Sequence, residues 1–336
     1  MVQVVINDHK VFECTLGASI LNAASEQKIS LPYSCKTGRC NTCKCKVLTG
    51  QTEALIDEVG LSTIEKAEGW ILTCARTAIS NLVIEVEDLS DLKLPEILTI
   101  PARIDSLIKV TADVLCVTMR IPPNAVFNYL AGQYIDVIAE GGMRRSYSIA
   151  NAPKADKKLE LHIRAVGGGI MSDYWFNHCK INDLVRLKGP MGSFVLRNTA
   201  GLDLVFLATG TGIAPVKAML ESMVALDVSE RPRSVTVLWG VRNAKDFYLE
   251  VDALPGGHHF LQVLSRPCAD WVGPRGYVQQ NLIETLPDLS QAVVYACGSN
   301  AMIHSAKDTL LQAGLLNNRF FSDAFLCSGP QEKTES

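Results

Sequence analysis

At 336 residues the chain is long enough for two or three domains of ordinary size, each with its own core. A hydrophobic fraction of 48% and a formal net charge of −3 describe a globular protein and argue against a disordered chain or a nucleic-acid binder. No apolar run approaches the ~20 residues a bilayer-crossing helix needs, so no membrane partner is expected.

Residues 1–90 form the first predicted domain. The start, Met1-Val2-Gln3-Val4-Val5-Ile6-Asn7, alternates like a strand and lacks the regions of a signal peptide. Strands are predicted at Gln3–Ile6 and Val11–Cys14, a short amphipathic helix near Ser19–Glu26, and further strands at Cys43–Leu48 and Leu82–Val86. Among them lie Cys35, Cys40 and Cys43 at C-x4-C-x2-C spacing, with Cys74 following. That spacing suits four thiolates on a plant-type [2Fe–2S] cluster. Structural zinc is the main rival, but zinc sites usually show two tight C-x2-C pairs, and here the second pair is missing. Wrapping a loop around a cluster turns backbone N–H groups toward sulfur and requires positive φ. Gly38 takes that conformation without steric cost, and Asn41 is the next most tolerant residue type. Cys45 is expected to pack beside the loop, with a ligand swap left open. The cysteines outside the ligand set (14, 45, 116, 179, 268, 297, 327) are odd in number and scattered, which fits reduced thiols in a cytoplasm.

Residues 91–101 carry Leu94-Pro95 and Ile100-Pro101 and are predicted as a semi-extended linker. From 102 to 198 short strands recur: Ala102–Val110, Val114–Ile121, Gln133–Ile138, Arg145–Ile149, Leu159–Val166, Leu184–Lys188 and Ser193–Leu196, with one helix near Met171–Asn177. Their spacing predicts an antiparallel barrel. Arg145-Ser146-Tyr147-Ser148 ends a barrel strand with a phosphate-gripping guanidinium, a flat ring and hydroxyl groups, the needs of a flavin nucleotide. Gly167-Gly168-Gly169-Ile170-Met171-Ser172 leads into the helix and could admit a phosphate at its N-terminus. Read alone, the first stretch could equally be a surface strand with a buried tyrosine, and the second a plain turn.

Residues 199–328 alternate strand and helix. Strands are predicted at Leu204–Thr209, Ser234–Trp239, Phe260–Leu264, Ala292–Cys297 and from Phe320-Phe321, and helices at Ala214–Leu226, Val278–Leu286 and Ala301–Ala313. Fully apolar strands in this order predict a parallel sheet covered on both faces. Gly210-Thr211-Gly212-Ile213-Ala214-Pro215 follows the first strand, a partial dinucleotide fingerprint lacking its third glycine. Cys297-Gly298 ends another strand at the edge where such sheets bind ligands. The adjacent pair His258-His259 is expected in solvent, and residues 329–336 as a disordered tail.

Taken together, R-x-Y-S, G-x-x-S, G-T-G-I-A-P and C-G-x-x-x-M occur in one order along nearly the whole chain. The chain resembles a plant-type ferredoxin domain fused to a ferredoxin–NADP reductase-like module. The resemblance implies a multidomain fold: a β-grasp-like α+β domain, a flavin-binding antiparallel β-barrel and an α/β nicotinamide domain with a parallel sheet. It departs from the ferredoxin pattern at Asn41, where glycine is usual. It implies FAD held by Arg145, Ser146, Tyr147 and Ser148, with Tyr147 on the ring system and Ser148 facing N5. Gly169, Ile170, Met171 and Ser172 would hold the pyrophosphate. Gly210, Thr211, Gly212, Cys297, Gly298 and Met302 would meet the nicotinamide nucleotide, and Phe325 would shield the flavin. Arg242, Ser265 and Arg266, near Tyr277, are candidates for telling NADPH from NADH, with NADH favoured. The stretches 144–153, 295–299 and 320–325 are similar to reductases serving CDP-6-deoxy-L-threo-D-glycero-4-hexulose-3-dehydrase, an enzyme of 3,6-dideoxyhexose synthesis. Reductase components of aromatic-ring dioxygenases and soluble monooxygenases share the architecture. Either resemblance implies an NAD(P)H:acceptor oxidoreductase passing electrons through FAD and [2Fe–2S] to a partner enzyme. A non-enzymatic redox sensor is the alternative of another class.

Overall fold

Alternation of side chains builds the first sheet. In β1 (Val2–Ile6) and β2 (Lys10–Cys14), Val4, Ile6, Phe12 and Cys14 are buried while Gln3 and Glu13 face water. The chain continues through α1 (Ile20–Glu26), β3 (Lys44–Thr49), β4 (Thr52–Ala54), α2 (Thr63–Ala67), β5 (Trp70–Leu72), β6 (Arg76–Ala78) and β7 (Leu82–Glu85). The Ser19 hydroxyl caps α1 by accepting from the Asn22 N–H at 3.2 Å. The strand order is β2-β1-β7-β3-β5, with β7 parallel to β1, and β4 pairs with β6 apart from that sheet. The computed structural model describes residues 1–7 and 9–325, so Cys327 and the expected tail 329–336 lie outside the described residues.

By backbone contacts the described residues form two compact units, Met1–Pro95 with Met191–Phe194, and Glu96–Pro190 with the described residues from Val195 onward. The second unit holds two sheets. Its six-stranded sheet comprises β8 (Leu98–Lys109), β9 (Val114–Arg120), β10 (Tyr134–Ile138), β11 (Arg144–Ser148), β12 (Lys158–Arg164) and β13 (Leu184–Met191), in the order β11-β10-β13-β8-β9-β12. An Ile149–Leu161 bridge and an Ala150 N–H donating to Glu160 O at 2.7 Å bring the two edge strands together, so the sheet is nearly a closed barrel. The helix α3 (Ile170–Asp173) runs on as a wider turn, Tyr174–His178.

Two expectations change here. The semi-extended reading of 91–101 ends early, because β8 begins at Leu98 and includes Pro101. Pro101 is tolerated because β8 is paired there only with β13, and pairing with β9 starts at Arg103. Ile104 donates toward β13, so by alternation the proline nitrogen faces the open side. Ser193–Leu196 is not a strand. Ser193 instead donates its N–H to Tyr33 O at 3.0 Å and its hydroxyl accepts from Tyr33 N–H at 2.8 Å, within the first unit.

The other sheet is wholly parallel: β14 (Asp203–Thr209), α4 (Ile213–Met223), β15 (Ser234–Val241), β16 (His259–Leu264), α5 (Val278–Thr285), β17 (Ala292–Ser299), α6 (Asn300–Gln312) and β18 (Phe320–Phe325). The order β16-β15-β14-β17-β18 reverses direction between β14 and β17, placing the crevice of such sheets at their C-terminal ends. All residues of β14 but Thr209 are buried, as expected for a strand covered on both faces. His258 is a correction: it is half-buried and stands edge-on to Phe260, ring centroids 5.8 Å apart.

The barrel also hides a titratable group. His162 on β12 has a side chain 0% exposed, and burial holds its pKa below the usual imidazole value of 6.5. A depressed value means its contribution to stability is full above 6.5 and lost as pH falls. On acidification from about pH 7.5 to 5.5 the melting temperature of the native chain should therefore fall more steeply than that of a His162→Gln variant. Parallel slopes in thermal melts would contradict this.

Candidate redox sites

The cysteine loop of the first unit is shaped by residues on the left-handed side of backbone space. Lys36, Gly38 and Asn41 have φ of 54°, 72° and 67°. Gly38 is required, since a Cβ there would sit 2.3 Å from the Asp57 carbonyl oxygen. Asn41 adopts the conformation expected of it. These turns aim backbone donors at sulfur: Thr37 N–H donates to Cys35 Sγ at 3.3 Å and Cys35 N–H to Cys40 Sγ at 3.4 Å. Among the described residues no group of three or more His, Cys, Asp or Glu side chains gathers as a single ion requires. The thiols associate in two pairs, Cys35 with Cys40 and Cys43 with Cys74. The hydrogen bond from Cys40 brings the Cys35 thiol down to about 5, and the bond from Cys43 lowers that of Cys74. In each pair the other thiol, Cys40 or Cys43, is pushed up by its partner and by burial. Two dithiol pairs fit a dinuclear cluster with two thiolates per iron.

Glu58 ties this loop to Cys74, a role the sequence reading missed. It is 4% exposed, accepts from Leu72 N–H at 2.8 Å through Oε1, and takes Arg76 Nε–H at 2.8 Å on Oε2. Next to it, Gly60 N–H donates to Gly38 O at 2.8 Å. One buried carboxylate thus anchors both the segment resting on the loop and the strands flanking the fourth ligand. Cys45 is fully buried on β3, where burial raises its thiol pKa, as a packed and protonated side chain should behave.

In the second unit, β11 carries R-x-Y-S. Arg145 and Tyr147 point to one side, Arg144, Ser146 and Ser148 to the other. Asp136, buried on neighbouring β10, accepts from the Ser146 hydroxyl at 2.5 Å and from Arg144 Nε–H at 2.6 Å. Tyr147 packs against the barrel core; its hydroxyl accepts the Trp175 indole N–H at 2.9 Å, and burial raises its pKa to about 12. Ser148 is 8% exposed. Trp175 also lines an open cavity of about 820 Å³ with Gly168, Gly169, Ile170 and Ser172. Within that turn the Ser172 hydroxyl accepts from Val166 N–H at 2.9 Å, Met171 is buried and Ile170 is 71% exposed. Asp136 and Trp175 were missed by sequence reasoning, although a lone aspartate in an apolar strand was a visible signal.

At the C-terminal edge of the parallel sheet, Gly210, Thr211 and Gly212 form one turn between β14 and α4. Gly210 has φ 54°, and Arg164 at the end of β12 reaches within 2.8 Å of where its Cβ would be. A Cβ on Gly212 would stand 2.2 Å from Cys297 O, and one on Gly298 2.0 Å from Thr209 Oγ1. The glycines are thus explained by close approach of β14 and β17. Thr209 Oγ1 accepts from Ser299 N–H at 3.3 Å, and Met302 packs over Gly298. Cys297 is fully buried, and burial pushes its thiol pKa up, leaving it neutral. Phe325 pairs with Ser299 in register, so β18 brings it to the same edge. Farther along, Arg266 N–H donates to Arg242 O at 3.0 Å and Ser265 N–H to Val241 O at 3.0 Å, setting the two arginines side by side.

Family models match along the chain: a 2Fe-2S iron-sulfur cluster binding domain over residues 4–78, an oxidoreductase FAD-binding domain over 101–196 and an oxidoreductase NAD-binding domain over 206–308. The fold and these matches define an FAD- and [2Fe–2S]-dependent oxidoreductase that uses NAD(P)H, and the sensor reading gives way. The chain is 40% identical over 95% of its length, and 96% of the relative's, to CDP-6-deoxy-L-threo-D-glycero-4-hexulose-3-dehydrase reductase of Yersinia pseudotuberculosis. It is 32% identical to the xylene/toluene monooxygenase electron transfer component XylA of Pseudomonas putida, covering 94% of this chain and 90% of that one. Among solved structures, an Amycolatopsis cytochrome P450 reductase matches with TM-score 0.74 and 27% identity, over 97% of this chain and 99% of that one. The chain belongs to this family of ferredoxin-fused flavoprotein reductases, which pass electrons from a nicotinamide nucleotide through FAD to a [2Fe–2S] cluster.

The cysteine loop gives a direct test. Gly38→Ala is expected to lower bound iron and sulfide at least ~threefold, because its methyl meets a carbonyl oxygen. Asn41→Gly keeps the same φ and should hold iron and sulfide within about 20% of the native content. Iron and acid-labile sulfide analysis of both purified proteins checks this.

Proposed function

We propose that the chain takes a hydride from NADH and delivers single electrons to the dehydrase of a CDP-6-deoxy-hexulose in 3,6-dideoxyhexose synthesis. The observation carrying this reading is chain-long similarity to the reductase of that dehydrase at 40% identity, with both redox sites in one polypeptide. When bound, the flavin accepts two electrons together and the cluster passes them singly; the protein supplies position and electrostatics.

Cys35, Cys40, Cys43 and Cys74 hold the cluster in this reading, and the loop amides stabilise charge on sulfur. Arg145 would pair with flavin phosphate, while Tyr147 is braced by Trp175 and Ser148 directly precedes the Ile149–Leu161 bridge of the barrel seam. Gly169 and Ser172 with Ile170 and Met171 line the pyrophosphate turn. Gly210, Thr211 and Gly212 receive the nicotinamide nucleotide beside Cys297, Gly298 and Met302, with Phe325 at the same edge. Neutral Cys297 offers a polarizable surface without charge. In this reading the cluster domain spans 1–90, the flavin domain 102–198 and the nicotinamide domain 199–328, with the connector shortened by the start of β8 at Leu98. The described cysteines form no disulfide and no described helix is long and apolar enough to cross a membrane, which supports a cytoplasmic site of action.

Pairing the NADH-reduced protein with candidate partners tests the acceptor. The expected result is 3-deoxygenation with the dehydrase and little product with aromatic-ring oxygenase components. Oxygenase turnover alone would favour the second reading, which similarity to XylA supports.

One geometric fact bears on the donor. The main chains of Arg242 and Arg266 are hydrogen-bonded just past the C-terminal ends of β15 and β16, and in this reading their guanidinium groups would grip a 2′-phosphate. Replacing both by alanine is expected to lower kcat/KM for NADPH at least ~tenfold and leave that for NADH within about twofold. Steady-state kinetics with both nucleotides reads this; an equal loss for both would contradict it.

A further inference from the structure

A run of polar groups, buried at His162 and half-buried on either side of it, crosses the second unit outside the sites assigned above. At its centre is His162, whose Nε2 lies 2.7 Å from Glu160 Oε1 and whose Nδ1 lies 3.0 Å from the Tyr248 hydroxyl. Burial keeps this imidazole neutral, so it has one N–H and one lone pair to offer. Burial alone would raise Glu160, but its bond to His162 and the charge of Lys217 outweigh that and bring it down to about 2. A carboxylate can only accept. Hence His162 donates from Nε2 to Glu160, and its Nδ1 accepts the Tyr248 O–H.

Each end of the run reaches a different half of the candidate site. On one side Lys217 Nζ donates to Glu160 Oε2 at 3.1 Å, Glu221 Oε1 at 2.8 Å and Ala150 O at 3.1 Å. Glu221 Oε2 in turn accepts Ala152 N–H at 3.1 Å and pairs with Lys154. Ala150 and Ala152 lie two and four residues beyond Ser148, the last residue of R-x-Y-S. On the other side the Tyr248 ring stands perpendicular to Trp239, centroids 5.2 Å apart, and the Trp239 indole N–H donates to Gly210 O at 2.9 Å. Gly210 opens the G-T-G turn.

We propose that this run is a positioning device: His162 and Tyr248 fasten the G-T-G turn to the R-x-Y-S strand and so set the distance for hydride transfer. The proposal rests on the assignment of flavin to β11 and nicotinamide to the Gly210 turn. Lys154, Lys217, Glu160 and Glu221 cancel in charge, and directional bonds select a single arrangement where apolar contact would allow several. Such a device acts through others, since none of its side chains needs to touch the reacting atoms. Misplacement of about 1 Å can cost on the order of 100-fold in rate.

Tyr248→Phe in the holoenzyme removes one hydroxyl and keeps the ring, and Glu160→Gln removes the charge but keeps an acceptor. Anaerobic stopped-flow with saturating NADH gives the limiting rate of flavin bleaching. Photoreduction of the flavin gives the rate of onward transfer to the cluster, which a positioning fault should spare. The expected result is bleaching at least ~tenfold slower in both variants, with FAD content and onward transfer within about twofold of native. Native-like bleaching in both would overturn the proposal. Slower bleaching accompanied by lost FAD or slower onward transfer would also overturn it, because that pattern marks general loosening. A native chain whose flavin NADH does not bleach removes the underlying assignment as well, and so is told apart from a failure of positioning alone.

Discussion

The redox sites depend on main chain coming closer than a side chain would allow. In three places the obstacle to a Cβ belongs to the protein itself: Asp57 O at Gly38, Cys297 O at Gly212 and the Thr209 hydroxyl at Gly298, at 2.3, 2.2 and 2.0 Å. Thiolates and phosphates are anionic, and backbone N–H groups are donors that carry no mobile charge to be screened or titrated. Packing main chain this tightly is costly unless the surroundings over-determine it. Glu58 provides that support at the cysteine loop, and the paired ends of β14 and β17 provide it in the parallel sheet.

Chemistry then divides between the units. The first unit's thiols are paired two and two, which suits one-electron exchange at two irons. The second brings a barrel strand and a sheet-edge turn into one framework, with Arg164 reaching Gly210 and Lys217 reaching Ala150. None of the groups so assembled is arranged for acid–base work. Cys297 is neutral, Tyr147 is held protonated up to about 12, and His162 is locked between two fixed partners. Orientation and exclusion of solvent are what these residues contribute.

Much of this was legible in the sequence for physical reasons. The cysteine spacing encodes a loop radius, and Asn41 was readable as a left-handed residue because few side chains tolerate that conformation. The β14 run is apolar at every position but its ends because the sheet is covered on both faces. What escaped were features without local period. Strands β4, β5 and β6 are three residues long, too short to alternate. Pro101 hid the start of β8, since a proline is admitted only where one neighbour strand is missing. Partnerships such as Asp136 with Ser146, or His162 with Tyr248, join residues far apart in sequence or on separate strands, and nothing local announces them. The half-buried His258 shows the reverse: a polar pair beside glycines reads as solvent-facing until Phe260 packs against it.

The central claim is that a hydride pair is divided within one polypeptide and leaves through iron and sulfide. An anaerobic mix of the purified chain with NADH, followed by absorbance and by electron paramagnetic resonance of frozen samples, tests it most directly. The expected result is loss of the flavin band followed by the signal of a reduced [2Fe–2S] centre in the same molecules. Flavin reduction with a cluster that stays oxidised, or metal analysis finding zinc without sulfide, would contradict it.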